Sequence, residues 1–111
     1  MVSGKKRVEK EIGLTYLVYI QKRASADILS AISYYNRQQA GLGDKFLAAV
    51  DKHIGIISKN PFFQIRYMNV RCLPIKKYPF MIHFVVDEKN NNVYILSVLH
   101  TAQDPSSFPV L

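Results

Sequence analysis

Seven residues in the C-terminal half constrain this chain most. From Phe80 to Val86 the sequence reads FMIHFVV, and an extended backbone sends Phe80, Ile82, Phe84 and Val86 to one side and Met81, His83 and Val85 to the other. A second apolar run, Val93 to Leu99, is rich in β-formers (Val93, Tyr94, Ile95, Val98) and follows the polar turn Asp87-Glu88-Lys89-Asn90-Asn91-Asn92. The two runs predict one antiparallel hairpin. Upstream, Val70 to Ile75 predicts a third strand, closed by Lys76-Lys77-Tyr78-Pro79, where Pro79 lacks a ladder donor and keeps Tyr78 extended. Three strands in chain order form a meander, and its apolar face needs a cover.

The cover is sought upstream. Leu14 to Gln21 is nearly continuous in apolar residues and is expected as a first strand, central or buried on both faces. Ser25 is the expected N-cap of a first helix, with Asp27 in its first turn and Ile28, Leu29, Ile32 and Tyr35 at helical spacing. Gly41-Leu42-Gly43 stops that helix. From Asp44 a second one draws the stripe Leu47, Val50, Ile54, Ile57 and ends at Lys59-Asn60-Pro61. So short a link makes the helices antiparallel. Residues 61–69 are expected as a connector with exposed Phe62, Phe63 and Tyr67. The expected order is β-α-α-β-β-β, in the α+β class: a helical hairpin on a small, twisted, mainly antiparallel sheet.

A chain of 111 residues holds one domain, expected over residues 14–105, with a basic tail at 1–13 and a short tail at 106–111. Its single cysteine, Cys72, forms no internal disulfide and fits a reducing, cytoplasmic compartment. No apolar run is long enough to cross a bilayer. Lys5, Lys6 and Arg7 before Leu14–Ile20 suggest a leader peptide, but Gln21-Lys22-Arg23 directly after the apolar run favours a strand. Net charge is +7, from 15 Lys and Arg against 8 acids, an excess that attracts polyanions. The competing account is a solvated basic surface, with much of the excess expected in the tail and in Lys76-Lys77.

Several motifs follow one another in a familiar order: Ala26, Ile28, Ile32 and Tyr34-Tyr35; Gly41-Leu42-Gly43 to Phe46; Asn60-Pro61; Val70-Arg71; Lys77 to Ile82; and Val98-Leu99-His100-Thr101 with Asp104-Pro105. This resembles the ParE branch of the RelE/ParE toxin superfamily over residues 15–105. The resemblance implies a toxin of a bacterial type II toxin-antitoxin, or plasmid stabilisation, module, with an acidic antitoxin as partner. ParE-like members act on DNA gyrase, whereas RelE-like members cut messenger RNA on the ribosome, so fold alone does not choose.

The residues are asked instead. RNA cleavage needs a proton acceptor, a proton donor and fixed cations at the phosphate. The resemblance places an arginine of the nuclease members at Met81, and another just beyond the last strand, where Thr101-Ala102-Gln103 stands; Gln103 also departs from the HxxRDP of ParE-like relatives. Both absences point to gyrase binding. The alternatives are a ribosome-dependent endoribonuclease using Arg71, His83 and His100, and a decayed toxin that only binds its antitoxin.

Candidate contacts for a partner or polyanion are Arg71, Lys76, Lys77, Tyr78, His83, His100, Gln103 and Asp104. Arg71 could hold a phosphate or carboxylate, or simply guard a strand edge. Asp104 could orient His100, although such a histidine more often packs in a corner. His83 is expected to face solvent or a partner groove, and His53 to be a bystander. Lys76-Lys77 could read phosphates with Tyr78 or Phe80 stacking a base, or form a solvated turn. Tyr34-Tyr35 is expected to pack. The three histidines lack metal-ligand spacing and Cys72 lacks a partner thiol, so no metal and no cofactor is expected.

Overall fold

The strand that the alternation predicts is present as the middle of a five-stranded sheet. In the computed structural model, which describes residues 15–102, the elements are β1 (Leu17–Ile20), α1 (Lys22–Gln38), α2 (Leu42–Lys59), β2 (Ile65–Tyr67), β3 (Val70–Pro74), β4 (Phe80–Asp87) and β5 (Asn92–His100). The sheet order is β1-β5-β4-β3-β2, with β1 parallel to β5 and every other pair antiparallel. No helix among the described residues is long and apolar enough to cross a membrane.

Both helices lie on one face, where Phe84, Ile82, Ile95 and Val93 meet Phe46, Val50, Ile57, Ile28 and Ala24. Phe46, Val50, Ile57, Ile82, Phe84, Val93 and Ile95 are all fully buried. At roughly 1.5–3 kcal/mol for each large apolar side chain removed from water, this contact is what holds hairpin to sheet.

Several expectations are corrected. The connector contains a further strand, β2, so the order is β-α-α-β-β-β-β. Phe62 is exposed, but Phe63 is half-buried against Phe84 at 6.4 Å and Tyr67 is half-buried. β1 is an edge strand rather than a central one, and Leu17 and Tyr19 are 42% and 43% exposed. An apolar run of four to seven residues cannot report which side of it lacks a neighbour. α1 begins at Lys22 with Gln21 as N-cap, so Ser25 and Asp27 fall inside the helix and its first turn holds no acid. The buried stripe of α2 is Gly43, Phe46, Val50, His53 and Ile57, while Leu47 and Ile54 sit on its flank.

β5 carries an irregularity that the sequence did not suggest. His83 pairs with Ser97 but Phe84 pairs with Ile95, leaving Leu96 as an extra residue on β5. Ile95 and Val98, three apart, therefore share the helix-facing core. The tails 1–13 and 106–111 and the boundary at 105 lie outside the described residues.

Candidate functional site

Arg71 lies on β3 beside Phe84, and its Nη1 donates to the Phe63 carbonyl at 2.8 Å. Its guanidinium also sits 5.3 Å from the Phe62 ring centroid. Arg71 thus clamps the connector to the sheet. His100 ends β5 beside Phe80, its ring 5.4 Å from that of Phe80, and its Nδ1 accepts the Ala102 N–H at 3.1 Å. Gln103 and Asp104 lie outside the described residues, so the pairing of Asp104 with His100 does too.

His83 corrects the expectation of a solvent-facing residue. It does point away from the helices, but it is only 2% exposed and lies against Cys72 and Tyr67. Burial is the main reason its pKa falls below the ordinary histidine value, and the Arg66 charge adds to this while Asp27 opposes it. Burial likewise raises the Tyr67 phenol, helped by Cys72. The Tyr67 hydroxyl and His83 Nδ1 share a hydrogen bond across 3.0 Å, and the tautomer of the neutral imidazole sets which of the two donates. Cys72 Sγ is 3.4 Å from the same nitrogen, and burial raises its pKa against the pull of Arg66, so the thiol is no activated nucleophile.

Arg71, His83 and His100 therefore do not converge. The cross-strand partners of Arg71 and His100, Phe84 and Phe80, are four residues apart on β4, about 13 Å. His83 points from the opposite face.

The basic turn between β3 and β4 is better built. Lys76 and Lys77 are exposed, and Lys77 takes a left-handed backbone, φ 74°. Tyr78 is half-buried, its ring 5.1 Å from Phe46 and 5.5 Å from Tyr35; Phe80 is 5.3 Å from Phe46. These rings are packed at the foot of the turn, which leaves little of either face for a base. Burial raises the Tyr35 pKa, with smaller contributions from Tyr34 and Tyr78. The packing role expected of Tyr35 fits this cluster, whereas Tyr34 is 49% exposed.

Two residues expected in other roles hold the site together: His53, expected as a bystander, and Asp27, expected as a first-turn acid of α1. His53 is buried; its Nδ1 donates to the Ala49 carbonyl at 2.7 Å and its Nε2 accepts the Lys76 N–H at 3.2 Å. Its place in the spacing Phe46, Val50, His53, Ile57 was a signal available in the sequence. Asp27 has no comparable signal: its Oδ2 accepts the Val98 N–H at 2.9 Å, a contact spanning 71 residues.

Between α1 and α2, at the end of β1, lies an apolar groove of about 400 Å³ lined by Ile20, Ile28, Ile32, Leu47 and Ile54, with Ser25 and Asp51 among its polar lining. Among the described residues, no three His, Cys, Asp or Glu side chains group as a metal site.

The charge also sits differently from the expectation. Residues 15–102 carry eleven Lys and Arg against five Asp and Glu, a net charge of +6, whereas residues 1–14 carry +2 and residues 103–111 carry −1.

A helical hairpin laid across one face of a mixed five-stranded sheet, with a basic body, defines a small α+β domain. Two solved structures share the fold: the chromosomal ParDE system from P. aeruginosa, TM-score 0.65 and 17% identity, covering 78% of this chain and 96% of that one, and the RelBE2 toxin-antitoxin complex from Mycobacterium tuberculosis, TM-score 0.57 and 18% identity, covering 81% and 95%. No curated protein sequence gives a significant match. Residues 18–105 match the profile of the ParE toxin of type II toxin-antitoxin systems, and the chain belongs to that family.

Proposed function

We propose that this chain is a cytoplasmic toxin that poisons DNA gyrase by binding it, and that a small acidic antitoxin neutralises it. The observation that carries the reading is the separation of Arg71, His83 and His100, with Arg71 engaged by Phe63 and His83 buried. Cleavage of RNA requires these groups around one phosphate. Met81 in place of an arginine supports the same choice. Family membership supports the toxin-antitoxin setting, and both structural relatives are toxin-antitoxin systems. The groove between the helices offers an amphipathic antitoxin segment an apolar seat beside a cationic body.

The test is a supercoiling assay with purified gyrase and relaxed plasmid. Inhibition that is relieved by the product of a neighbouring open reading frame supports the reading; normal supercoiling at excess protein sinks it.

One observation favours a second reading: Tyr67 and His83 share a hydrogen bond on the outer sheet face, with the Arg66 charge felt by His83. A ribosome-dependent nuclease would place acid-base chemistry on that face. Cleavage of a translated message, lost in His83→Ala and in Tyr67→Phe, would promote it over gyrase binding.

A further inference from the structure

On α2, Lys45, Lys52 and Lys59 recur at every seventh residue, and all three are exposed. A straight helix drifts only about 20° per heptad, so the three ammonium groups form one line about 21 Å long. The two acids of the helix, Asp44 and Asp51, each precede a lysine by one residue and so lie about 100° round the cylinder. Charge on this helix is sorted by side.

The tertiary structure extends the line. His53, one residue past Lys52 and so about 100° round toward the sheet, on the side away from Asp51, accepts the backbone N–H of Lys76 and ties the exposed Lys76-Lys77 turn to that side of α2. None of these five lysines is paired with a carboxylate: the one ion pair among the described residues joins Arg23 to Asp27. Small residues, Ala48, Ala49 and Gly55, lie between the lysines, and a Cβ added at Gly55 would meet nothing within 4 Å. The floor of the stripe is low and open.

We infer that this stripe binds the phosphate backbone of duplex DNA. A stiff rod with one charge per roughly 1.7 Å of axis suits a straight row of unpaired point charges. An acidic protein segment would also need apolar surface to bury, and the large apolar side chain on this flank is Ile56, 41% exposed. The choice of DNA over RNA rests on the gyrase reading, because DNA is the polymer held at that target.

Fluorescence anisotropy of a short labelled duplex of mixed sequence, titrated between about 50 and 200 mM salt, tests this. Five phosphate contacts give a log-log salt slope of about −4.5. Lys45→Gln/Lys52→Gln is expected to lower affinity about tenfold and flatten the slope by about two. Lys22→Gln/Lys89→Gln removes the same charge from other surfaces and is expected to change affinity less than about twofold. Equal losses in the two double variants, absence of duplex binding, or preferential binding of an RNA hairpin or of poly-glutamate would overturn the inference. Circular dichroism of both variants excludes misfolding as the cause. Gyrase inhibition by a protein that binds no duplex would sink this inference and leave the gyrase reading standing.

Discussion

The Asp27 carboxylate joins α1 to β5: Oδ2 accepts the Val98 N–H at 2.9 Å, and Oδ1 accepts from Arg23 Nε at 3.1 Å. β1 stops pairing with β5 at Ile95, so the next stretch of that edge has no strand beside it. The helix supplies an acceptor where the sheet lacks one. Asp27→Ala leaves a part-buried donor without a partner and is expected to destabilise by about 1–3 kcal/mol in urea unfolding. Asp27→Asn keeps an acceptor oxygen and is expected to lose less.

The pH dependence of stability is set in part by His83. Its folded-state pKa lies below the ordinary 6.5, so the unfolded chain takes up the proton first. Its contribution is constant above about pH 6.5 and is lost as pH falls from there through the lowered folded value. The slope from this group reaches at most about 1.4 kcal/mol per pH unit. Urea midpoints between pH 7.5 and 5 are expected to fall more steeply for the native chain than for His83→Gln. Parallel curves would show that His83 binds its proton equally well in the folded and the unfolded chain.

At Gly43 the backbone of α2 lies close against α1. A Cβ there would stand 2.6 Å from the Ile32 carbonyl oxygen and 2.6 Å from Asn36 Nδ2. Asn36 Oδ1 accepts the N–H groups of Gly43 at 2.8 Å and Gly41 at 3.2 Å, which ties the turn to α1. Gly43→Ala is expected to cost about 2–4 kcal/mol through overpacking and loss of these bonds. Gly55→Ala, in open space on the same helix, is expected to gain about 0.5–1 kcal/mol from helix propensity. Thermal unfolding of the two variants should shift in opposite directions.

Lys77 holds a left-handed backbone that costs a side-chain-bearing residue about 1–2 kcal/mol. Lys77→Gly relieves that strain, while glycine's added freedom in the unfolded chain offsets part of the gain. The net expectation is about 0.5–1 kcal/mol more stability, together with a salt slope for duplex binding flatter by about one. Stability gained as binding weakens would identify the lysine as kept for contact.

His53→Ala removes the acceptor beneath Lys76, and the exposed turn loses its tie to α2. Loss of a hydrogen-bonded buried side chain is expected to cost about 1–3 kcal/mol. Faster amide exchange at Lys76, measured against an unchanged amide in β5, would locate the effect in the turn.

Periodicity is a local property, and what it could carry it carried. FMIHFVV requires one apolar strand face, the GLG break requires two helices, and Val50 and Ile57 of the expected stripe do face the sheet beneath α2, because apolar side chains at period two or 3.6 leave water together along one face; Phe46 takes the place expected of Leu47. The remaining features are agreements between distant segments. Leu17 and Tyr19 lie at an edge because β1 pairs with β5 on one side and with no described strand on the other; Leu96 is extra only relative to β4. His83 is neutral because Tyr67 and Cys72 close over it, and His53 supports Lys76 because the β3–β4 turn reaches α2. A residue's own sequence neighbours set its preferred backbone, but its exposure, its protonation and its hydrogen-bond partner depend on what the fold brings against it.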